Sequence, residues 1–372
     1  MAAAVERMNF FHTHISPRVV ELVAEVLRSG FVSEGTRVKQ FEEELAEGLG
    51  LVRPVAVNSG TSALHLGLVV AGVCEGDEVI LPAQTFVASG LSILMCGATP
   101  VFADIQPSTG TLDPFAVRAK ITPRTKAIMP VHWGGYPCDM DEINTIAREH
   151  GLAVIEDAAH ALGATYKGRP VGSLSRFTAF SFQAIKHVTT GDGGALCCLE
   201  ERDHEEARRR RWYGIDRARD LATILGEREY DLESLGFKYH LNDVAAAIGL
   251  GNLQDFPRNL ARHRAIAARY RTGLQHVPGL TRLDYRSDRE GSWWMFTVLV
   301  ERREDFIRAL KDRGVPASVV HRRIDRNSVL GGIRPELHNQ TYFDNHQVAL
   351  PIHVGCTDDD ISLVIDAVKR GW

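Results

Sequence analysis

Residues 177–199 read FTAFSFQAIKHVTTGDGGALCCL and hold two apolar runs on either side of a lysine. The runs Phe177–Phe182 and Ala195–Leu199 each have the length and composition of a buried strand. Lys186 lies between them and is poorly placed to serve solubility alone. Burial would disfavour its charged form, and a neutral amine is a nucleophile that can form a Schiff base. A surface lysine in a hairpin turn is the alternative that this stretch leaves open.

A second apolar run, Leu152–Asp157, ends in two acids and is followed by small residues. A carboxylate at the C-terminal end of a parallel strand points into the crevice where α/β proteins bind ligands. A helix N-cap is the other common role for Asp157. Asp157 and Lys186 together are the two groups that a pyridoxal phosphate site needs, because the lysine holds the aldehyde and the acid keeps the ring nitrogen protonated.

A third stretch fits the same cofactor. Residues 55–66, VAVNSGTSALHL, indicate a strand, a turn containing Gly60, and a helix. The N–H groups and hydroxyls of Thr61 and Ser62 would lie at the helix N-terminus, where an anion such as a phosphate is favoured. An ordinary helix cap formed by these hydroxyl residues is the alternative.

Short apolar strands alternate with helices through the first half of the chain, which predicts a mainly parallel sheet covered on both faces. We expect strands at 55–58, 78–82, 100–104, 126–131, 152–156, 176–182 and 195–199. We expect helices at 16–29, 36–48, 61–72, 86–96, 114–120, 139–150 and 157–163. In such a sheet the phosphate site, Asp157 and Lys186 gather near the C-terminal ends of the strands.

The second half is predicted in less detail. We expect a charged helix at 200–218 that contains Arg208–Arg211. These arginines either bind a substrate diphosphate or lie on a face that is exposed to solvent or to an interface. A loop at 219–235 follows. Further helices are expected at 244–253, 258–273, 303–313 and 358–369, and strands at 280–285, 292–300 and 315–320.

Several stretches, in this order, resemble the sugar aminotransferases of the DegT/DnrJ/StrS family. They are SGTSALHLGL, GDEVILPAQTFVAS, GATPVFADI, AVIEDAAHALGATYKGRPVGS, FSFQAIKHVTTGDGG and ALPIHVGCT. The resemblance implies an α/β protein with the aspartate aminotransferase fold, fold type I of the pyridoxal-phosphate-dependent transferases. It divides the chain into a cofactor-binding large domain, 1–250, with a mainly parallel seven-stranded sheet, and a small C-terminal α/β domain, 251–372.

The resemblance also implies roles for single residues. Lys186 and Asp157 become the catalytic pair, and Gly60, Thr61 and Ser62 the phosphate site. Further cofactor contacts are expected from Phe86, stacking on the ring, and from His160, Ser181 and Lys238. Core packing is the alternative for Phe86 and His160. In many family members an asparagine stands at the Lys238 position and reaches the cofactor phosphate of the other subunit, which implies a homodimer with shared sites. The segment VVHRRIDRN, which begins at Val319, lies where the family contacts substrate.

The implied reaction moves an amino group from an amino acid, by resemblance L-glutamate, to a keto sugar that is nucleotide-linked. It is a ping-pong reaction in which Lys186 moves protons. Sugar dehydratases of the same fold are one alternative, but they carry histidine in place of Lys186. A non-catalytic regulatory relative is the other, and the set Asp157, Ser181 and Lys186 argues against it.

Composition excludes other classes of protein. The net charge of −4 gives no broad basic field for nucleic acid. The six cysteines form no C-x-x-C pair, which disfavours a metal centre and favours reduced thiols in the cytoplasm. No apolar run reaches the roughly 18 to 20 residues of a membrane span. We therefore expect a cytoplasmic enzyme with small-molecule substrates.

Overall fold

A computed structural model describes residues 8–216, 224–227 and 230–372. The predicted charged helix at 200–218 and loop at 219–235 therefore fall partly outside the described residues. The helix that is described there is shorter than predicted and ends at Arg210, where a turn begins.

Seven strands form the central sheet: β1 (Pro54–Val57), β2 (Glu78–Pro82), β3 (Thr99–Ala103), β4 (Thr125–Ile128), β5 (Ala153–Asp157), β8 (Phe177–Ser181) and β9 (Gly194–Cys198). Two short strands, β6 (Thr165–Tyr166) and β7 (Arg169–Pro170), lie outside it. The order in the sheet is β1-β9-β8-β5-β4-β2-β3. Only β9 runs against its neighbours β1 and β8, and the other described pairings are parallel. This confirms the predicted α/β class and the mainly parallel seven-stranded sheet.

Helices cover both faces of this sheet. They are α1 (Arg18–Ser29), α2 (Thr36–Leu49), α3 (Gly60–Val70), α4 (Val87–Met95), α5 (Pro114–Lys120), α6 (Met140–His150), α7 (Glu201–Arg210) and α8 (Asp243–Leu253). One core cluster packs α1, α2, α6 and α8 on one face, and a second packs α3 and α4 on the other. Because both faces are covered, β1, β2, β5 and β9 are buried along their whole length.

The C-terminal part contains α9 (Phe256–Gly273), β10 (Leu280–Arg282), β11 (Arg289–Glu290), β12 (Phe296–Val300), α10 (Arg303–Asp312), α11 (His338–His346), β13 (Gln347–Leu350) and α12 (Asp358–Lys369). Strands β10, β12 and β13 form an antiparallel sheet with its own core. Strand β11 instead pairs with β6, so the C-terminal part also joins the first half. The predicted domain boundary at residue 250 stays a prediction.

Two predicted elements are wrong, and a third is shorter than predicted. The predicted helix at 157–163, all described, is absent: Asp157 ends β5 and the following residues form turns, up to Gly163, which has φ 79° and packs against Leu260 and Phe256 of α9. Residues 315–320 hold only an isolated bridge from Ser318 to Ala349. The predicted strand at 292–300 begins at Phe296, because Trp293 has φ 60° and turns the chain.

Within the described ranges no helix combines the length and the hydropathy required to cross a lipid bilayer.

Candidate active site

A cavity of about 390 Å³ lies at the C-terminal ends of β5 and β8, beside the N-termini of α3 and α4. It is lined by Gly60, Thr61, Phe86, Asp157, His160, Ser181 and Lys186, among others. These seven are all among the nine site residues predicted from the sequence. The two others, Ser62 and Lys238, are not part of its wall.

Lys186 lies in the closed loop that leaves β8. The loop is held at its base by Phe182, whose N–H donates to the Gly193 carbonyl over 2.8 Å and whose carbonyl accepts from the Thr190 N–H over 2.9 Å. The amine projects into the cavity and is surrounded by protein. Loss of water around it lowers the pKa of Lys186 to about 7, although the nearby Asp157 carboxylate opposes this. The lysine is therefore a cavity residue and not the exposed turn residue of the alternative reading.

Asp157 ends β5 and is 6% exposed. Its Oδ2 accepts a hydrogen bond from the Ser89 hydroxyl over 2.6 Å, and its Oδ1 accepts from the Ala159 N–H over 3.2 Å. The neighbouring acid, Glu156, faces the other side of the sheet, where it bonds His132 over 2.7 Å and Thr178 over 3.1 Å. Strand alternation therefore selects Asp157 as the acid of the cavity.

The N-terminus of α3 forms the opposite end of the cavity. The helix is capped by Ser59, whose side chain accepts from the Ser62 N–H over 3.0 Å. The Ser62 hydroxyl donates to Asn58 over 2.6 Å, so the structure uses this side chain in the cap rather than in the cavity wall. Gly60 packs so closely on Ser181 that a Cβ would lie 2.8 Å from the Ser181 Cβ. The helix N-terminus and Ser181 thus share one end of the cavity, as an anion site requires.

Phe86 and His160 line the middle of the cavity. Phe86 is 52% exposed, so it is not a core side chain, and its ring lies 5.1 Å from that of His321. His160 is buried and stacks on Trp294 with ring centres 3.9 Å apart. Burial lowers the pKa of His160 well below its ordinary value, and the Lys186 charge acts in the same direction. His160 is therefore a neutral imidazole at pH 7.

Lys238 is exposed and lies outside the cavity of its own chain. Its backbone is fixed to the end of β1, because its carbonyl accepts from the Asn58 side chain over 3.2 Å and the next carbonyl, of Tyr239, accepts from the Asn58 N–H over 2.7 Å. The Lys238 side chain is thus exposed on the outside of the chain, beside the N-terminus of α3. Its predicted contact with a cofactor stays a prediction.

The arginine run does not reach the cavity either. Arg209 and Arg210 pair with Glu206 on their own helix, and the buried Arg211 pairs with Glu34 and Glu42. None of Arg208–Arg211 is among the residues that line the cavity.

Sequence reasoning missed several residues of the cavity and its support, among them Thr85, Ser89 and Trp294. Thr85 lies just before α4 and Ser89 in its first turn, and they bond each other over 2.6 Å. Two hydroxyl residues four positions apart are only a weak signal in the sequence. Trp294 gave no local signal, because it lies in an apolar segment that reads as a strand. His321, from the segment expected to contact substrate, does line the cavity.

His321 is held in an unusual backbone conformation. Its φ is 57°, in the left-handed region that non-glycine residues rarely adopt. Its carbonyl accepts hydrogen bonds from the buried side chains of Gln84 and Gln347, each over 3.2 Å. Burial lowers the pKa of His321 to about 4, and Lys186 adds to the effect. The cavity therefore presents two neutral imidazoles, His160 and His321, with rings 5.8 Å apart and nearly parallel.

This arrangement fits pyridoxal phosphate. An amine for the aldehyde, an acid for the ring nitrogen, an aromatic face and a helix N-terminus for the phosphate line one cavity. Within the described ranges no three histidine, cysteine or acidic side chains are grouped as a metal ion would need.

Comparison with known proteins agrees with this geometry. A profile of the DegT/DnrJ/EryC1/StrS aminotransferase family matches residues 14–369. The spore coat polysaccharide biosynthesis protein SpsC of Bacillus subtilis is 38% identical, over 98% of this chain and 98% of its own. GDP-perosamine synthase of Caulobacter vibrioides is 36% identical, over 94% of both chains.

Solved structures match over the same length. AtS13 of Actinomadura melliaura has a TM-score of 0.94 and 40% identity, covering 100% of both chains. The sugar aminotransferase CalS13 of Micromonospora echinospora has a TM-score of 0.93 and 35% identity, covering 98% of this chain and 100% of its own. A Streptococcus pneumoniae protein solved in its PLP form has a TM-score of 0.90 and 29% identity, covering 98% of both chains.

The family match spans nearly the whole chain, SpsC is 38% identical to it, and AtS13 shares its fold at 40% identity. The chain belongs to the DegT/DnrJ/EryC1/StrS aminotransferase family.

Proposed function

We propose that this aminotransferase uses pyridoxal phosphate to move an amino group from L-glutamate to a nucleotide-linked keto sugar. The observation that carries the proposal is the meeting of Lys186 and Asp157 in one cavity with the N-terminus of α3. When bound, pyridoxal phosphate supplies an aldehyde for the Lys186 amine and a ring that withdraws electrons from the amino donor.

Lys186 is the proton carrier of the site. With a pKa near 7 its amine exists in both protonation states at neutral pH. A group with this property can remove a proton in one half-reaction and return it in the other. The loop that carries Lys186 is anchored at Phe182, so the long side chain moves while its backbone stays fixed.

Asp157 orients and holds charge at the ring nitrogen. Ser89 and Ala159 donate to different oxygens of the carboxylate, which fixes its plane and leaves lone pairs for a further donor. The N–H groups at the start of α3 and the Ser181 hydroxyl would bind the phosphate, and Phe86 would lie against the ring.

We place the keto sugar beside His321, which lines the cavity and belongs to the segment that the family resemblance assigns to substrate. The relatives named for GDP-perosamine and for spore coat polysaccharide synthesis support a sugar substrate, and the former supports a nucleotide linkage. Two neutral imidazoles can donate to and accept from sugar hydroxyls without attracting an anion to that part of the cavity.

We further propose a homodimer in which Lys238 of each subunit reaches the cavity of the other. The exposed Lys238 side chain and its position beside the N-terminus of α3 support this. A two-fold axis would create two equivalent shared sites. The cytoplasmic location stays a prediction, in keeping with six free cysteines.

The presence of Lys186 separates this proposal from a sugar dehydratase, and the complete cavity separates it from a regulatory protein. Spectroscopy of the purified protein provides the test. A yellow, borohydride-sensitive protein should lose its colour with L-glutamate and regain it with the correct nucleotide-linked keto sugar. Peptide mapping after borohydride should find the pyridoxyl group on Lys186. A label on Lys167 or Lys238, or no colour change with glutamate, would contradict the proposal.

A further inference from the structure

The amine of Lys186 lies over the face of an indole. Its Nζ is 3.7 Å from the ring centre of Trp294, which is 2% exposed. Trp294 comes from the segment before β12, 108 positions further along the chain than Lys186. A lysine ammonium within about 6 Å of an indole face is attracted by the ring quadrupole, and the attraction is strongest where water is excluded.

The indole is itself fixed. Its Nε1–H donates to the Ile185 carbonyl over 2.8 Å, a bond to the residue just before Lys186. His160 stacks on it with ring centres 3.9 Å apart and planes 12° apart, and Phe11 stacks on it at 5.4 Å. A ring held by a hydrogen bond and two stacked neighbours offers a surface of defined position.

The indole is the described contact of the amine that the geometry shows directly. Within the described residues Lys186 Nζ forms neither a hydrogen bond nor an ion pair, although Asp157 lies near enough to influence its pKa. The oxygens of Asp157 accept from Ser89 and Ala159 instead. The amine thus rests on Trp294 rather than on the carboxylate that the ring nitrogen needs.

We propose that Trp294 is a positioning residue that holds the free amine of Lys186 over its indole face whenever that amine is not bonded to the cofactor. The inference rests on the proposed function, in which Lys186 leaves the cofactor in each half-reaction. Held on the indole, the amine stays beside the reacting carbon and does not form an ion pair with Asp157.

Other charged and titratable groups act on the same amine. Asp157 and Asp192 line the cavity from β5 and from the Lys186 loop, and Asp157 favours the ammonium. His160, His187 and His321 lie around it and are neutral, because burial lowers the pKa of each. The indole acts in the same direction as the Asp157 carboxylate, so its removal should lower the pKa of Lys186.

The test titrates Lys186 in cofactor-free protein labelled with ¹³C at the lysine ε-carbon, with the signal assigned by its loss in Lys186→Arg. We expect Trp294→Leu, which keeps the site apolar but removes the ring, to lower the Lys186 pKa by about one pH unit. Trp294→Phe should give a smaller decrease. Trp293→Phe is the matched control and should leave it unchanged, because Trp293 packs on Tyr285 and Phe296 instead.

An unchanged or increased Lys186 pKa in Trp294→Leu would overturn the proposal, and so would an equal change in Trp293→Phe. If the leucine variant does not fold, 5-fluorotryptophan incorporation weakens the ring quadrupole at nearly constant size. The fluorinated ring should then lower the Lys186 pKa in the wild-type protein but not in Trp294→Phe. The titration needs neither cofactor nor turnover. Its result therefore stands even if the proposed reaction is shown to be wrong.

Discussion

The hydroxyl of Ser89 donates a 2.6 Å hydrogen bond to Oδ2 of Asp157. Ser89 lies on α4 and Asp157 at the end of β5, so the bond joins a surface layer of helices to the sheet. Thr85 bonds the same hydroxyl over 2.6 Å, which lets it donate to Ser89 while Ser89 donates to the acid. A buried chain of this kind fixes the carboxylate before any ligand arrives.

Replacement of Ser89 by alanine should therefore lower kcat for both half-reactions about tenfold, or about 1.4 kcal/mol of barrier. The carboxylate keeps its charge but loses its orientation. Stopped-flow measurement of each half-reaction checks this. Ser92→Ala is the matched control, since Ser92 is a buried serine of the same helix whose hydroxyl donates to the Ser89 carbonyl and not to Asp157. Equal losses in the two variants would contradict the role of Ser89.

Replacement of the two adjacent acids, Asp157 and Glu156, should have different effects. Asp157→Asn should still bind the cofactor but lose at least about a hundredfold in kcat, or about 2.7 kcal/mol, because an amide cannot hold the ring proton. Glu156→Gln should act on stability instead, through the buried bonds to His132 and Thr178. Steady-state rates and thermal unfolding of both variants measure this. Near-normal turnover by Asp157→Asn would show that another acid serves the ring.

The pKa of Lys186 predicts how the cofactor-free protein captures pyridoxal phosphate. Only the neutral amine attacks the aldehyde, and it becomes the major form as pH rises through about 7. The covalent capture rate, followed by absorbance, should increase from pH 6 to pH 8 and then level off. An ordinary lysine would still be increasing at about pH 10. Lys186→Ala, as control, should show no covalent capture at any pH.

The backbone of His321 provides a test on the sugar side. Gln347→Leu removes one of the two donors to the His321 carbonyl and the hydrogen bonds between Gln84 and Gln347, which should cost about 1 to 3 kcal/mol of stability. The sugar half-reaction should show a higher KM while the glutamate half-reaction does not change. Adding His321→Gly should recover part of the stability, because glycine adopts φ 57° without strain. A loss shared by both half-reactions would contradict a local effect.

Shared sites can be tested by mixing two inactive variants, Lys186→Ala and Lys238→Glu. In a mixed dimer one cavity would carry both defects and the other neither. Activity should then return, up to about half of the wild-type value per mixed dimer, because each two-fold-related site combines both chains. Exchange of subunits without any return of activity would place both residues in one site of one chain.

The parts of the cavity that could be predicted from the sequence are those that depend on short stretches of residues. Lys186 and Asp157 follow apolar runs that end at one edge of the sheet, so their meeting follows from topology. The N-terminus of α3 is marked by its own serines and glycine. Trp294 could not be placed in this way, because its contact with Lys186 joins distant segments and depends on a turn at Trp293.

The wrong elements have a similar origin. Residues 157–163 have the small side chains of a helix, yet the packing of Gly163 against α9 requires a left-handed backbone there. Helix α11 and strand β13 were not predicted, since HNQTYFDNH is polar and QVAL is short. Tertiary contacts that no local pattern records decide these regions.

The antiparallel strand β9 has a consequence for biosynthesis. It is inserted between β1 and β8, so β1 has no neighbour in the sheet until Cys198 has been made. The N-terminus of α3 follows β1, and the Lys186 loop follows β8. Both parts of the cavity therefore become ordered only after β9 has joined the sheet. A nascent chain that stops before β9 should emerge from the ribosome unable to retain the cofactor, although every residue of the Lys186 and phosphate loops is already present.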